Sequence, residues 1–312
     1  MSDSILVTGG LGFIGSHIVS ALASIPRPTI LDYDIQAGGS NLKNVSNIRG
    51  DIFDFDKLVK VMRDQDVSKV VHMIGLAFIP DCEKSPDVSY KLNVLSVKNT
   101  LEAMRITDTK RVVFPSTAAV YGATNGPKIS EMVEPKPTSV YGCHKLVAEL
   151  LVQEYAENYG FDTTILRLFN VYGDLEKEQG VIALFVRRAL ANKPLTINGG
   201  EQLRDFVHLN DVVEAFVHSL ENDTAYGEII NVGSGVGVAI KEIAEIVKHS
   251  FPKVEVKYKP PSKREYSIYA DTSKMKTLLG CNTVDPRQGI PVFVEKCKET
   301  CKETWIKLRL TS

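Results

Sequence analysis

Cysteine is scarce in this sequence, and so is any imbalance of charge. Five cysteines among 312 residues, Cys82, Cys143, Cys281, Cys297 and Cys301, are odd in number and lack paired spacings. That excludes a zinc ribbon and a secreted disulfide scaffold, so the thiols are predicted to be reduced, the protein cytoplasmic and no metal resident. Cys297 and Cys301 stand one helical turn apart and read as two half-exposed thiols on a C-terminal helix. Lysine and arginine total 37 against 38 acids, a formal net charge of -1. A globally basic surface for nucleic acid or membrane is thereby excluded, and an anionic ligand has to be met by local cations. Residues 1–10 hold an early acid, no basic region and one short apolar run that enters a glycine loop. They read as a first strand, not a signal peptide.

What the chain does have is ordinary globular composition, 44% hydrophobic and 24% charged, enough for one large domain or a large one with a smaller partner. Strand-like apolar runs alternate with helical segments up to residue 168. The strand candidates are 5–8, 29–32, 47–49, 69–73, 111–115 and 163–168, and residues 87–104 and 141–158 read as the long helices. This alternation predicts an α/β fold with a parallel sheet covered by helices on both faces. Past residue 170 the elements shorten around turn signals such as Asn198-Gly199-Gly200 and the Pro260-Pro261 break. A smaller lobe packed on the first is expected there, with no repeat or linker to detach it.

Gly9, Gly12 and Gly15 form a loop between the strand ending at Thr8 and the helical run 13–23. Glycine suits a tight turn whose backbone approaches a pyrophosphate, and the helix N-terminus then offers free N–H groups and partial positive charge. A glycine pattern alone reads equally well as a plain turn. Its context adds Asp32, at the end of the second strand and 20 residues after Gly12, where a carboxylate accepts from an adenosine ribose diol. No lysine or arginine follows in Asp32-Tyr33-Asp34-Ile35, so a 2'-phosphate would meet two acids and no cation. NAD is expected over NADP.

Tyr141 and Lys145 lie four apart on one helical face. A nearby ammonium favours the phenolate and brings a tyrosine toward a useful range for proton removal. By itself the spacing is common in helices. Upstream, Ser116 and Thr117 place two hydroxyls at the carboxyl end of an apolar strand, where open α/β sheets bind ligands. Thr117 is the third candidate catalytic residue.

In this order, these residues resemble the extended short-chain dehydrogenase/reductases of the NAD-dependent epimerase/dehydratase type, nearest the UDP-glucose 4-epimerase group, over nearly the whole chain. The resemblance implies a Rossmann-type doubly wound sheet in residues 1–168, to which later strands are free to return, and a nucleotide-sugar-binding α/β lobe in 169–312. It implies that Phe13 and Ile14 join the glycines at the cofactor. Gly50-Asp51-Ile52 is similar to the family's adenine contact, assigned to Asp51 and Ile52. His72-Met73-Ile74-Gly75-Leu76 is similar to the loop beside the nicotinamide, with Ile74, Gly75 and Leu76 as contacts. Asn93 matches the helix asparagine that supports the cofactor site, and Tyr141, Lys145 and Phe169 complete the cofactor set. For the substrate, the resemblance implies Ser116, Thr117, Asn170 and two diphosphate arginines, Arg204 and Arg264. Arginine suits the role because its planar fork matches phosphate oxygens.

The chain departs from that pattern with Ala77 where lysine is frequent, Asn198 where an aromatic is common, and a short stretch from Arg264 to Asp271 that bears on where Ile268 lies. The family's dehydratases carry an Asp-Glu pair after the catalytic hydroxyl and its decarboxylases a Glu. Here Ala118 and Ala119 stand, and alanine cannot move a proton. The expectation is NAD-dependent 4-epimerisation of a nucleotide-diphosphate sugar. The alternatives are a nucleotide-sugar oxidoreductase or an epimerase at another carbon, and, further off, a dinucleotide-binding regulator without catalysis. Helices 87–104 and 141–158 correspond to those through which family members dimerise, which implies a homodimer.

Overall fold

Ile5 and Val7 of the first strand, β1 (Ser4–Thr8), turn to one face of the sheet and Leu6 to the other, and all three are buried. Burial on both faces belongs to a strand inside a parallel sheet covered by two layers of helix. The computed structural model describes residues 4–175, 177–261 and 266–310, with side chains described up to residue 301. From β1 the chain runs through α1 (Phe13–Ala23), β2 (Thr29–Asp34), β3 (Val45–Arg49), α2 (Phe55–Asp64) and β4 (Val67–His72). Then come α3 (Ile79–Lys84), α4 (Pro86–Tyr90), α5 (Ser96–Thr107), β5 (Arg111–Thr117), β6 (Lys128–Ile129), α6 (Val140–Tyr159) and β7 (Asp162–Leu168).

The remainder comprises β8 (Asn170–Tyr172), α7 (Val181–Leu190), β9 (Leu195–Asn198), β10 (Leu203–His208), α8 (Leu209–Glu221), β11 (Glu228–Val232) and β12 (Gly237–Ala239). It ends with α9 (Ile240–Ser250), β13 (Val256–Lys259), β14 (Tyr269–Ala270), α10 (Ser273–Leu279) and α11 (Pro286–Leu310). Seven strands form one parallel sheet in the order β3-β2-β1-β4-β5-β7-β11. The winding reverses between β1 and β4, which leaves a crevice at their carboxyl ends.

The sheet takes its last strand from beyond residue 168. Ile230 and Val232 of β11 extend the apolar face begun by Leu166 and Leu168, and α8 covers it beside α1 through Val212, Ala215 and Phe216. On the opposite face α2, α5 and α6 bury Leu58, Leu101 and Val152 against Leu31, Val70 and Val112. A third cluster belongs to the later elements and joins Phe185, Ile197, Phe206, Ile243 and Val294. Cys297 lies in it, so the half-exposed reading fails for that thiol: burial pushes it up to about 11, while Cys301 is partly exposed. No helix of the described residues is long and apolar enough to cross a membrane.

The long helix expected over 87–104 is not uniform. Between α4 and α5, residues Lys91–Leu95 form one wider π turn. Such bulges are rare and recur at functional sites. Here the turn carries Asn93, which is 1% exposed.

Candidate active site

The loop between β1 and α1 is a place where backbone meets backbone. Gly9 has a φ of +73° and packs on the Met73–Ile74 peptide, while a Cβ on Gly15 would lie 2.3 Å from the Gly9 carbonyl oxygen. Gly12 is the N-cap of α1 and its N–H donates to the Gly9 carbonyl at 3.1 Å. No side chain caps that helix, so its first N–H groups are left for a ligand. Asp32 is buried behind the loop. Its Oδ1 has no partner among the described residues and fills the place where a Cβ on Gly10 would sit. Burial, and then the charge of Asp34, push Asp32 up to about 6. A ribose diol would supply the missing donors, so the loop and Asp32 fit a dinucleotide.

Asp34 does more than repel a 2'-phosphate. Its Oδ2 accepts the Leu11 N–H at 3.1 Å and its Oδ1 the Gln36 N–H at 3.0 Å, which ties the glycine loop to the end of β2. The fold also brings in a cation that no neighbour in the sequence announces. Lys177 donates to the Leu11 carbonyl at 3.2 Å and to Ser16 Oγ at 2.9 Å, and its charge partly offsets the rise at Asp32. Asp51 stands exposed after β3, its Oδ1 held by the Phe53 N–H at 3.0 Å. Ile52 is only 3% exposed and belongs to the core, so its side chain is not free for the adenine contact expected of it.

Across the crevice, Ile74, Gly75 and Leu76 follow β4. Asn93 clamps this loop by both ends of its amide: Oδ1 accepts the Leu76 N–H at 3.1 Å and Nδ2 donates to the Leu76 carbonyl at 3.0 Å. His72 is buried beneath, bonded to Thr8, Thr100 and Ser96, and burial pushes it down to about 3, so it stays neutral.

Tyr141 and Lys145 open α6 beside the end of β5, which Thr117 closes. Burial pushes Tyr141 up to about 12, against the pull of the Thr117 hydroxyl. Burial and Thr117, and not Lys145, lead the shift at Tyr141. Lys145 is itself 4% exposed, rests 4.2 Å over the Phe114 ring, and is pushed by burial down to about 7, with Glu149 opposing. An ammonium that is costly to keep charged does little for its neighbour.

Ser116 is corrected as well. It is 2% exposed and its hydroxyl donates to Glu149, so it faces the interior and not a substrate. Adjacent strand residues face opposite ways, and Thr117 has the outward place.

In the later elements, Phe169 is buried beside Ala118 and Tyr121, and Asn170 is exposed at the start of β8, its Nδ2 donating to the Asp205 carbonyl at 2.8 Å. Arg204 on β10 helps line a cavity of about 270 Å³ with Leu184, Phe185, Ile197, Asn198 and Gln202. Its guanidinium lies 5.1 Å from the Tyr266 ring centre and donates to the Leu203 and Tyr266 carbonyls. Ile268 is buried against Phe169 and does not open on that cavity. Arg264 lies outside the described residues.

The family model described as the NAD dependent epimerase/dehydratase family matches residues 5–233. The chain belongs to that family. It is 36% identical over 303 residues to a putative UDP-glucose 4-epimerase of Methanocaldococcus jannaschii, covering 94% of this chain and 98% of that one. The UDP-glucose 4-epimerase of Thermotoga maritima, solved with UDP-glucose, superposes with a TM-score of 0.88 at 30% identity over 96% of this chain and 99% of that one. The UDP-glucuronic acid 4-epimerase of Bacillus cereus, solved with UDP-glucuronic acid and NAD, gives 0.86 at 29% identity over 95% and 99%.

For a member of this NAD-dependent family, the glycine loop, the open helix N-terminus and the unpartnered Asp32 oxygen form a fitting dinucleotide seat. Three contributors escaped the sequence reading. Glu149 had a signal, since it continues the Tyr141–Lys145 spacing by four. Asp34 was visible only as a charge, and Lys177 had no signal because only the tertiary fold brings it to the loop. Replacing Tyr141 with Phe is expected to lower turnover by at least ~100-fold while leaving NAD affinity largely intact, read by product assay and by NADH fluorescence. Full activity in that variant would contradict the assignment.

Proposed function

We propose that this chain is a cytoplasmic, NAD-dependent nucleotide-sugar 4-epimerase that interconverts a UDP-glucose-type sugar with its C4 epimer through a transient 4-keto sugar. The observation that carries the reading is the meeting of Tyr141 with Thr117 at the end of β5, followed directly by Ala118 and Ala119. Elimination of water needs an acid or base at those two positions, and neither methyl group provides one. Redox chemistry at a single carbinol needs only the pair that is present.

In this reading Tyr141 removes the proton of the sugar 4-hydroxyl, and Thr117 holds the same oxygen. Lys145 holds the nicotinamide ribose, and the Gly9–Gly15 loop, Asp32 and the Asn93-clamped residues 74–76 seat the rest of the cofactor. Bound NAD would supply the hydride acceptor and a positively charged ring beside Tyr141, which favours the phenolate that burial alone disfavours. Asn170 and Arg204, with Arg264, anchor the nucleotide diphosphate while the keto sugar turns and is reduced on its other face. Asn198 in the lining of the 270 Å³ cavity offers an amide where a stacking ring would otherwise hold a base.

The reading is tested by incubating the purified protein and catalytic NAD with UDP-glucose, UDP-N-acetylglucosamine and UDP-glucuronate, following the sugar by proton NMR and NADH by absorbance. Conversion to the C4 epimer without net NADH is expected for one of them. Stoichiometric NADH with a keto product would make the protein an oxidoreductase instead.

We also propose a homodimer. Val88 and Tyr90 of α4, Leu95 of the π turn and Leu150 of α6 are exposed apolar side chains on the helices that the family pattern pairs, Leu150 at 58% exposure. Light scattering should give twice the 34.4 kDa chain mass, and a species of single mass at working concentration would exclude the dimer.

A further inference from the structure

Tyr141, Lys145 and Glu149 follow one another at intervals of four along α6, so all three project from one face. Glu149 is 1% exposed and Arg167, on β7, is 3% exposed. Glu149 Oε1 accepts Arg167 Nε at 3.0 Å and its Oε2 accepts Nη2 at 2.7 Å, while Ser116 of β5 donates to Oε1. The Arg167 guanidinium lies 4.8 Å from the Tyr121 ring centre, and the Tyr121 hydroxyl donates to Asn231 of β11 at 2.7 Å. One buried carboxylate thus ties the residue before Thr117 to the helix that carries the reacting pair.

We propose that Glu149 is a positioning residue for the catalytic pair, locking the Ser116–Thr117 strand end to α6 and setting a negative charge one turn from Lys145. The proposal rests on the reading of Tyr141 and Lys145 as the reacting pair. A buried ion pair adds little net stability over a well-packed apolar pair, so the retention of this one calls for a reason of another kind. Its place supplies one. Lys145 is surrounded by the neutral His72 from β4, the Phe114 ring from β5, Tyr141 and Glu149 on its own helix and, through Glu149, Arg167 from β7. Burial pushes Lys145 down to about 7, and the charge of Glu149 is what opposes that fall. Without it the ammonium loses its proton at lower pH, and with the proton goes its charge-assisted grip on a ribose hydroxyl.

Glu149→Gln keeps the shape and removes the charge. In that variant the alkaline limb of kcat/KM is expected to move to lower pH by about one unit, and NADH affinity, followed by fluorescence from pH 6 to 9, is expected to fall off earlier by the same interval. Ser116→Ala retains the charge and should leave the limb where it is in the wild type. Glu149→Gln alone strands the Arg167 charge and can unfold the chain, so Glu149→Gln/Arg167→Gln is made beside it and should show a smaller displacement in the same direction. A limb and a binding curve unmoved in either folded variant would overturn the proposal. The NADH arm needs no sugar substrate, so a wild type that binds NADH without epimerising anything would count against the proposed reaction and not against Glu149.

Discussion

Desolvation governs the corner where α6 meets β5. It pushes Tyr141 up to about 12 and Lys145 down to about 7, disfavouring the charged form of each. The same exclusion of water strengthens each polar contact made there, since an interaction weakened by bulk water is felt more fully in a low-dielectric interior. Thr117 and Glu149 are the two groups that oppose the neutral forms, Thr117 at the phenol and Glu149 at the amine. The two alanines after Thr117 add no further proton carrier to the corner.

The parallel sheet supplies the geometry. Its winding reversal between β1 and β4 opens one crevice, and the carboxyl ends of β1, β2, β4 and β5 deliver the glycine loop, Asp32, the 74–76 loop and Thr117 to it. Each arrives held from behind. Asp34 secures the glycine loop, Asn93 secures Leu76 through a local widening of the helix, and Glu149 secures Ser116. The loops at the crevice are therefore fixed by polar contacts one layer deeper, which is how a preorganised site keeps its geometry.

Much of this was legible in the sequence because periodicity reports burial. The six strand candidates and the glycine-to-helix transition at Phe13 emerged from apolar runs bounded by turn residues, and the Tyr141–Lys145 pair from the helical repeat. What stayed hidden depended on which way a side chain turned or on contacts between distant segments. Ser116 and Thr117 are equally hydroxylic, yet strand alternation sends one to Glu149 and leaves the other at Tyr141. Ile52 was expected at the adenine and its side chain joins the core, and Cys297 lies on the packed side of α11. Lys177 reaches Leu11 of the glycine loop from 166 residues away, a separation that no local pattern encodes. The family resemblance allowed for a later strand to return to the sheet, but that it is β11, paired with β7, is not encoded within residues 228–232 themselves.

The central claim is that a hydrogen leaves C4 of the sugar and comes back to the same carbon without escaping the protein. The direct test uses a nucleotide sugar carrying deuterium at C4, with catalytic NAD in ordinary water and mass and NMR analysis of the recovered epimer. The account predicts that the epimer retains deuterium at C4, with no solvent hydrogen there and no NADH released. Loss of the label to solvent, or its appearance in free reduced cofactor, would contradict it.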